Sequence, residues 1–395
     1  MFDRLSRIAE SLRRQNLSAL MCCRPVNVLA CTGYWPVVGN SIAIVTREGQ
    51  IGLLVPEDEL ELTRDIAMST VRAFTPATLQ DLAPVTERIL RPLRELALSL
   101  GCAKGRFGHD VGACVEPATY AASFDFGASL PCILEAAVKA SGLVDLSDCL
   151  ATIRAVLDEG EIEMVRDACK AAAAGFQAAA GRITAGMPER RVSLILSDCI
   201  SEGANRPRSG AFGFCMSGPN SAEAYRAYQM PGLRTLHEQD TALLHVNSFI
   251  EGYWTDITRT YSLGPVQPAV KRVQSAVLEA TRAAIDAIRP GVAACEVDTA
   301  ARYVMDKAGY KEQFKHATGH GVGLAAIDHN ARPRIHPRSN EVLERGMVFN
   351  VEPAAYFPGE FGVRQCNVVV VTETGCELLT DFDSSINELT LEEHR

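Results

Sequence analysis

The stretch Thr241–Leu263, TALLHVNSFIEGYWTDITRTYSL, decides how this chain is read. Two β-rich runs flank the turn-prone pair Glu251-Gly252, the pattern of an antiparallel hairpin. With those two residues as the loop, Ile250 faces Tyr253, Asn247 faces Asp256 and His245 faces Thr258. Opposed residues of an antiparallel pair project from one face, so His245, Asn247, Asp256 and Thr258 stand together. Leu244, Val246, Tyr253 and Ile257 take the other side. A hairpin with one solvated face would show the same alternation. The remainder of the chain must separate that reading from a buried polar wall.

A chain of 395 residues exceeds one ordinary core, so two domains are expected. Hydrophobic residues make up 47% and charged residues 22%, a globular, soluble composition. The apolar runs are shorter than a membrane span of about 18 residues. The opening MFDRLSRIAESLRRQ reads as a charged amphipathic helix without the apolar core of an export signal, which points to the cytoplasm. Thirteen cysteines, an odd number with no CxxC pair, fit reduced thiols. A net charge of −9 argues against a nucleic-acid partner.

Residues 1–155 read as a smaller α/β unit and residues 156–395 as a second domain. In the first, a helix near Met1–Asn16 precedes a strand at Ala19–Cys22. Ser41–Thr46 and Gln50–Val55 follow as a strand pair, with helical periodicity at Glu57–Ala67 and Ala83–Leu100. Gly105–Asp110 and Ile133–Glu135 are candidate short strands. Tyr34 and Trp35, beside Gly33, read as packing residues, with a substrate wall as the alternative. From Asp158 an alanine-rich helix runs to a stop at Gly186 and Pro188.

An internal repeat follows. Ile183, Gly186 and Val192 recur as Ile288, Gly291 and Val297 at a constant offset of 105 residues. Each copy lies between two helical segments, with β-rich sequence after them at Phe212–Cys215 and around His316–Leu324. Two such halves predict a pseudo-symmetric α+β domain with helices covering one face of a sheet.

Three further segments carry chemistry. HATGHGVG sets His320 between glycines, so that backbone can approach closely beside an accessible imidazole. GMVFNVEP is an apolar strand ending on Glu352, a carboxylate that needs a partner or a metal. GVRQCNVVVV places Arg364 and Gln365 at the start of another apolar strand.

GYWTDITRT, HATGHGVGL, LERGMVFNVEPAAY and GVRQCNVVVVTETGCELLT, in that order, resemble the signature blocks of the M24 or pita-bread family, which includes prolidase, aminopeptidase P, methionine aminopeptidase and creatinase. The α/β unit before them is similar to the N-terminal domain of the prolidase and creatinase branch. The resemblance implies an α+β chain, a pita-bread domain preceded by a creatinase-type N-terminal domain, and a homodimer. The family's metallopeptidases hold two metal ions with Asp, Asp, His, Glu and Glu. On this pattern the second aspartate is Asp256, the histidine His320 and the first glutamate Glu352. The first aspartate, eleven residues before Asp256, falls on His245, and the last glutamate falls on Gln365. A further family histidine falls on Tyr225, and another on Ile327, with His329 two places on.

Losing two carboxylates removes negative charge that a dinuclear site needs. What the resemblance then implies is a hydrolase of a C–N bond in a small nitrogenous compound, an amide, amidine or cyclic amidine, with no metal required, as in creatinase and ectoine hydrolases. His320, Glu352, His245 and His329 are its expected catalytic groups, and Tyr225, Asp256, Arg364 and Gln365 its substrate contacts. The alternative is an Xaa-Pro dipeptidase or aminopeptidase P-like enzyme in which Asp256, His320 and Glu352 hold one Zn²⁺, Mn²⁺ or Fe²⁺. A non-catalytic binding protein is the third reading, disfavoured because the polar groups are kept. Under either enzyme reading, the hairpin's polar face is an active-site wall.

Overall fold

The computed structural model describes residues 2–37, 40–64, 66, 70–80, 82–111, 130–224, 232–325, 331–382 and 390–391. The chain divides into two compact units, Met1–Arg154 and Ala155–Arg395. Tyr225 and His329 lie outside the described residues.

The first unit is built on a six-stranded sheet. Its strands are β1 (Ala19–Cys22), β2 (Ile42–Thr46), β3 (Ile51–Pro56), β4 (Thr70–Phe74), β5 (Gly105–His109) and β6 (Ala140–Asp145), in the order β4-β3-β2-β1-β5-β6. Successive strand residues enter opposite cores. Ala19, Met21, Ile42 and Ile44 pack with Leu93, Leu96 and Leu134. Leu20, Cys22, Ala43 and Val45 pack with Leu5, Leu12, Val28 and Leu150. Both faces are therefore apolar, and period-two alternation carries no polar side. The segment Ile133–Glu135, read above as a strand, lies inside the helix Leu130–Val138. A short apolar run fits either element, and here packing of Ile133 and Leu134 onto the sheet selects the helix. The periodicity near Glu57 yields only a 3₁₀ helix, Glu57–Thr63.

The second unit shows the two expected halves. Helices Glu159–Ala180 and Glu189–Gly203 form one pair, Pro268–Ala287 and Ala294–Lys307 the other. Asp158 caps the first helix with a reciprocal capping box through Glu161. The turn glycines match in conformation, with φ of 84° at Gly186 and 87° at Gly291. Their surroundings match too: Gly186 N donates to Leu236 O (2.7 Å) and Gly291 N to Leu343 O (2.8 Å). Glu189 N and Ala294 N, each 2.8 Å from a strand-like carbonyl, repeat the same tie.

The first half carries β7 (Ser209–Ser217), β8 (Thr241–Ile250), β9 (Tyr253–Trp254) and β10 (Ile257–Leu263), with β16 (Thr390–Leu391) beside β10. The second carries β11 (Val348–Val351), β14 (Asn367–Val371) and β15 (Cys376–Leu378). β12 (Ala354–Phe357) and β13 (Phe361–Arg364) pair with each other. The segment His316–Leu324 makes isolated bridges, Gly319 with Ile335 and Gly321 with Phe349, instead of the strand expected from its sequence. Among the described residues no helix is long and apolar enough to cross a membrane.

The hairpin has the register read from its sequence: Ile250 opposes Tyr253 and His245 opposes Thr258. Glu251 and Gly252 adopt φ of 52° and 87°, the left-handed pair that a two-residue loop requires. Arg208 Nε holds the strained Glu251 by its carboxylate at 2.6 Å.

Candidate active site

The hairpin's polar face is buried. His245 is 2% exposed, Asn247 0%, Asp256 1% and Thr258 0%, which removes the solvated reading. A directed chain of hydrogen bonds satisfies these groups. Arg364 Nε donates to Thr258 Oγ1 (3.0 Å), whose hydroxyl reaches His245 Nδ1 (3.0 Å). On the far side of the ring, His245 Nε2 meets Asn247 Oδ1 at 3.1 Å. Asn247 Nδ2 donates to Thr255 O, so Oδ1 is the atom turned to the imidazole, and Nε2 carries the proton. Burial pushes the His245 imidazolium down to about 4; Asp256 opposes the shift and Arg364 adds to it. The ring is neutral near pH 7.

His320 arrives on a second element. Its backbone runs beside β11, with Asn350 N donating to His320 O (3.0 Å) and Glu352 N to Thr318 O (2.7 Å). The flanking glycines are required by that approach. A Cβ at Gly319 would stand 1.9 Å from Asn350 O, and one at Gly321 would stand 2.4 Å from Arg332 O. Buried Asp298 accepts from both Thr318 N (3.1 Å) and Thr318 Oγ1 (2.8 Å), pinning the start of the segment.

Glu352 follows the end of β11, and its position is set by this pairing. The last element turns in after β13, where Cys366 bridges Thr258. Arg259, fully buried on β10, holds the crossing by donating from Nη1 to Thr258 O (2.9 Å) and Cys366 O (2.8 Å).

These elements bring Asp256, His320, Glu352 and Cys366 together. His320 Nε2 lies 3.4 Å from Asp256 Oδ2 and 3.9 Å from Glu352 Oε1. Cys366 Sγ lies 3.6 Å from Asp256 Oδ1 and 3.1 Å from Asp256 O. Asp256 is sealed, whereas the side chains of His320 and Glu352 are 25% and 14% exposed, so the site opens on these two.

Electrostatics tie the groups together. Burial opposes a charged His320, yet Asp256 and Glu352 more than offset it and raise the imidazolium to about 9. Burial raises Glu352 to about 7, with Asp256 adding to the rise while Arg364 and His320 oppose it. Asp256 would be raised by burial too, but the imidazoles and Arg364 hold it below its ordinary value.

Which residues could hold a metal follows from this geometry. His320 Nδ1 faces Gly321 O at 3.1 Å, the outer hydrogen bond typical of a histidine ligand, and Nε2, 3.2 Å from Asn350 Nδ2, is the nitrogen turned to the site. That Nε2 points between buried Asp256 and partly buried Glu352, an arrangement that favours a cation, either a proton on the ring or a metal ion. By donor type Asp256, His320 and Glu352 could hold one divalent ion, and among the described residues Asp256 and Glu352 form with Cys366 a donor set lying within 4.8 Å of one another. A second ion is disfavoured, because His245 commits both nitrogens to protein partners and adds no negative charge.

Sequence reading located Asp256, His320, Glu352 and His245 in one place, with Arg364 beside them. It misplaced the last corner. Cys366, not Gln365, is the side chain that reaches Asp256 and Asn350, while Gln365 Nε2 is buried with no hydrogen-bond partner among the described residues. Asn350, Tyr356 and His316 were also passed over. Asn350 Oδ1 accepts from His320 N at 2.6 Å, and Tyr356 Oη lies 3.0 Å from His316 Nε2 and 3.5 Å from Arg364 Nη1.

A model of metallopeptidase family M24 matches residues 163–373. The chain belongs to that family. Over the M24 region and beyond it, the chain is 28% identical across 390 residues to a Xaa-Pro dipeptidase of Pyrococcus horikoshii, covering 98% of this chain and 99% of that one. It is 37% identical over 231 residues to a probable dipeptidase PepE of Mycobacterium bovis, covering 58% and 59%. The crystal structure of the prolidase from Pyrococcus horikoshii superposes with a TM-score of 0.78 at 25% identity, over 97% of this chain and 99% of that one. The M24 chain is thus a hydrolase with the pita-bread α+β fold and an N-terminal domain. Membership in a metallopeptidase family overturns the expectation that no metal is required. That expectation rested on two departed ligands and undervalued the three that remain around His320 Nε2.

Proposed function

We propose that this M24 chain is a metal-dependent dipeptidase acting on Xaa-Pro or similar dipeptides, with one divalent ion held by Asp256, His320 and Glu352. The observation that carries the reading is His320 Nε2, set 3.4 Å from Asp256 and 3.9 Å from Glu352 with its other nitrogen on a backbone carbonyl. The near full-length similarity to a Xaa-Pro dipeptidase supports the substrate class. A bound divalent ion supplies Lewis acidity to the scissile carbonyl. Glu352, on the open side of the site, is the carboxylate placed to take a proton from an attacking water and return it to the leaving nitrogen. Arg364 stays charged beside Tyr356 and Thr258, placing a fixed positive charge near a peptide's carboxylate or developing oxyanion. His245 acts as a neutral ring through its hydrogen bonds, setting Thr258 and Asn247.

Hydrolysis of Ala-Pro and Ala-Ala, measured by released amino acid after metal is removed and returned, tests the proposal. Activity lost with chelator and restored by zinc or manganese is the expected result. Turnover that ignores metal, or none with any dipeptide, refutes it. A second reading, a single-ion hydrolase of small non-peptide amides, is favoured by His245, whose neutral ring stands where the family pattern has an aspartate. Faster turnover of such amides than of dipeptides would select it. As the resemblance implies, the proposed form is a homodimer; light scattering that gives a monomer would refute the dimer.

A further inference from the structure

The thiol of Cys366 is unaccounted for by the three-ligand site. It is buried and in no disulfide, and its sulfur lies with two of those donors, Asp256 and Glu352. One donor atom from each of Asp256, Glu352 and Cys366 lies within 4.8 Å of the other two. The shorter edges are more telling. His320 Nε2 to Asp256 is 3.4 Å, His320 Nε2 to Glu352 is 3.9 Å and Cys366 Sγ to Asp256 is 3.6 Å. Ligands placed about 2.0–2.3 Å from a tetrahedral ion stand about 3.3–3.8 Å apart. The same spacings admit hydrogen bonds, the Cys366 thiol lying within reach of Asp256 Oδ1 and, at 3.1 Å, of Asp256 O.

Asn350 gives an independent sign of convergence. Its carboxamide orientation is fixed because Oδ1 accepts from His320 N at 2.6 Å. Its Nδ2 is then 3.2 Å from His320 Nε2 and 3.6 Å from Cys366 Sγ. The imidazole and the sulfur, which come from different elements, thus turn their lone pairs toward one positively polarised group. Asn350 is fully buried, so no solvent competes for that position.

We propose that Cys366 Sγ is the fourth protein ligand of a single-ion site with Asp256, His320 and Glu352, and that its sulfur makes the site prefer zinc to manganese. The inference rests on the metal-dependent reading above and names the ion that reading leaves open. Ligation replaces the S–H bond by an S–metal bond; the proton passes to solvent and no electron moves. Thiolate favours zinc and cobalt, whereas an all-oxygen corner would suit manganese.

Cobalt(II) titrated into the full chain after chelator treatment reads the bond without any turnover. The expected result is a sulfur-to-cobalt charge-transfer band in the near ultraviolet, rising in step with the visible d–d bands to a single equivalent. Cys366→Ser should keep the d–d bands, lose the charge-transfer band and bind zinc at least about tenfold more weakly. Should that variant not fold, the wild-type band decides alone. Visible bands without charge transfer in the wild type would overturn the thiolate ligand and leave the dipeptidase reading standing. Failure to take up cobalt or zinc at all would overturn both. In dialysis against equimolar zinc and manganese, the wild type should retain zinc and Cys366→Asp should shift toward manganese; equal retention by the wild type would overturn the preference.

Discussion

Replacing His245 by aspartate tests the proposal that the site holds one ion and not two. The wild-type ring is neutral and 2% exposed, with Nδ1 3.6 Å from Asp256 Oδ1. A carboxylate at this position would face Asp256 across a similar gap. Two like charges about 4 Å apart at an effective dielectric near 20 repel by about 4 kcal/mol. Protonation of one of them relieves the repulsion at about 1.4 kcal/mol per pKa unit, and Arg364 offsets part of it. Metal-free His245→Asp should therefore be less stable at pH 7 by roughly 2–4 kcal/mol. His245→Asn loses the same imidazole hydrogen bonds without adding charge, so the difference between the two variants isolates the electrostatic part. Excess zinc should restore His245→Asp far more than the wild type, because the ion neutralises what the substitution added. Urea unfolding with chelator and with zinc measures both effects. Equal stability of the metal-free aspartate and asparagine variants, or equal stabilisation by zinc, would refute the reasoning.

Three further outcomes follow from the same geometry. His245 is depressed to about 4 in the folded protein, against roughly 6.5 unfolded. The unfolded chain binds the proton first, so this contribution is complete above about pH 6.5 and is lost as pH falls toward 4, on the order of 3 kcal/mol. In metal-free protein, His245→Gln should flatten the fall in stability over that window, read by urea unfolding at several pH values. Gly319→Ala would drive a methyl to 1.9 Å from Asn350 O, prising His320 away from Glu352. A loss of at least about 3 kcal/mol by urea unfolding, together with weakened zinc binding by calorimetry, is expected. Glu189 is buried and accepts from Ser217 N (2.7 Å), Ser217 Oγ (2.8 Å) and Asn220 Nδ2 (3.0 Å). Glu189→Ala should lower stability by about 3 kcal/mol or more, again by urea unfolding, since these donors and Gly232 N (3.3 Å) all lose one buried acceptor.

Much of the site could be read from sequence because the hairpin is self-specifying. A two-residue loop fixes the pairing, and the pairing fixes which side chains share a face. The glycines around His320 were legible for the same reason: only a close neighbouring backbone calls for them on both sides. Cys366 was not legible. Its inward direction is set by the bridge to Thr258, more than one hundred residues away, and by Arg259 gripping the Cys366 carbonyl. Counting from the Gly-x-Arg block therefore stopped one residue short. Ile133–Glu135 failed for a simpler reason, since a short apolar run carries no period of its own. Glu189 gave no local signal, because its partners Ser217, Asn220 and Gly232 lie far along the chain. The metal requirement was misjudged by counting lost ligands, when the stronger sign was the orientation of His320.

The central claim is a single divalent ion at Asp256, His320 and Glu352 that the hydrolytic activity needs. Elemental analysis of protein reconstituted with zinc and freed of excess, alongside Xaa-Pro dipeptide hydrolysis on the same sample, tests it most directly. One zinc per chain, with metal and activity lost together in Asp256→Asn, is the predicted result. Two tightly held ions per chain, or full activity in protein stripped of metal, would contradict it.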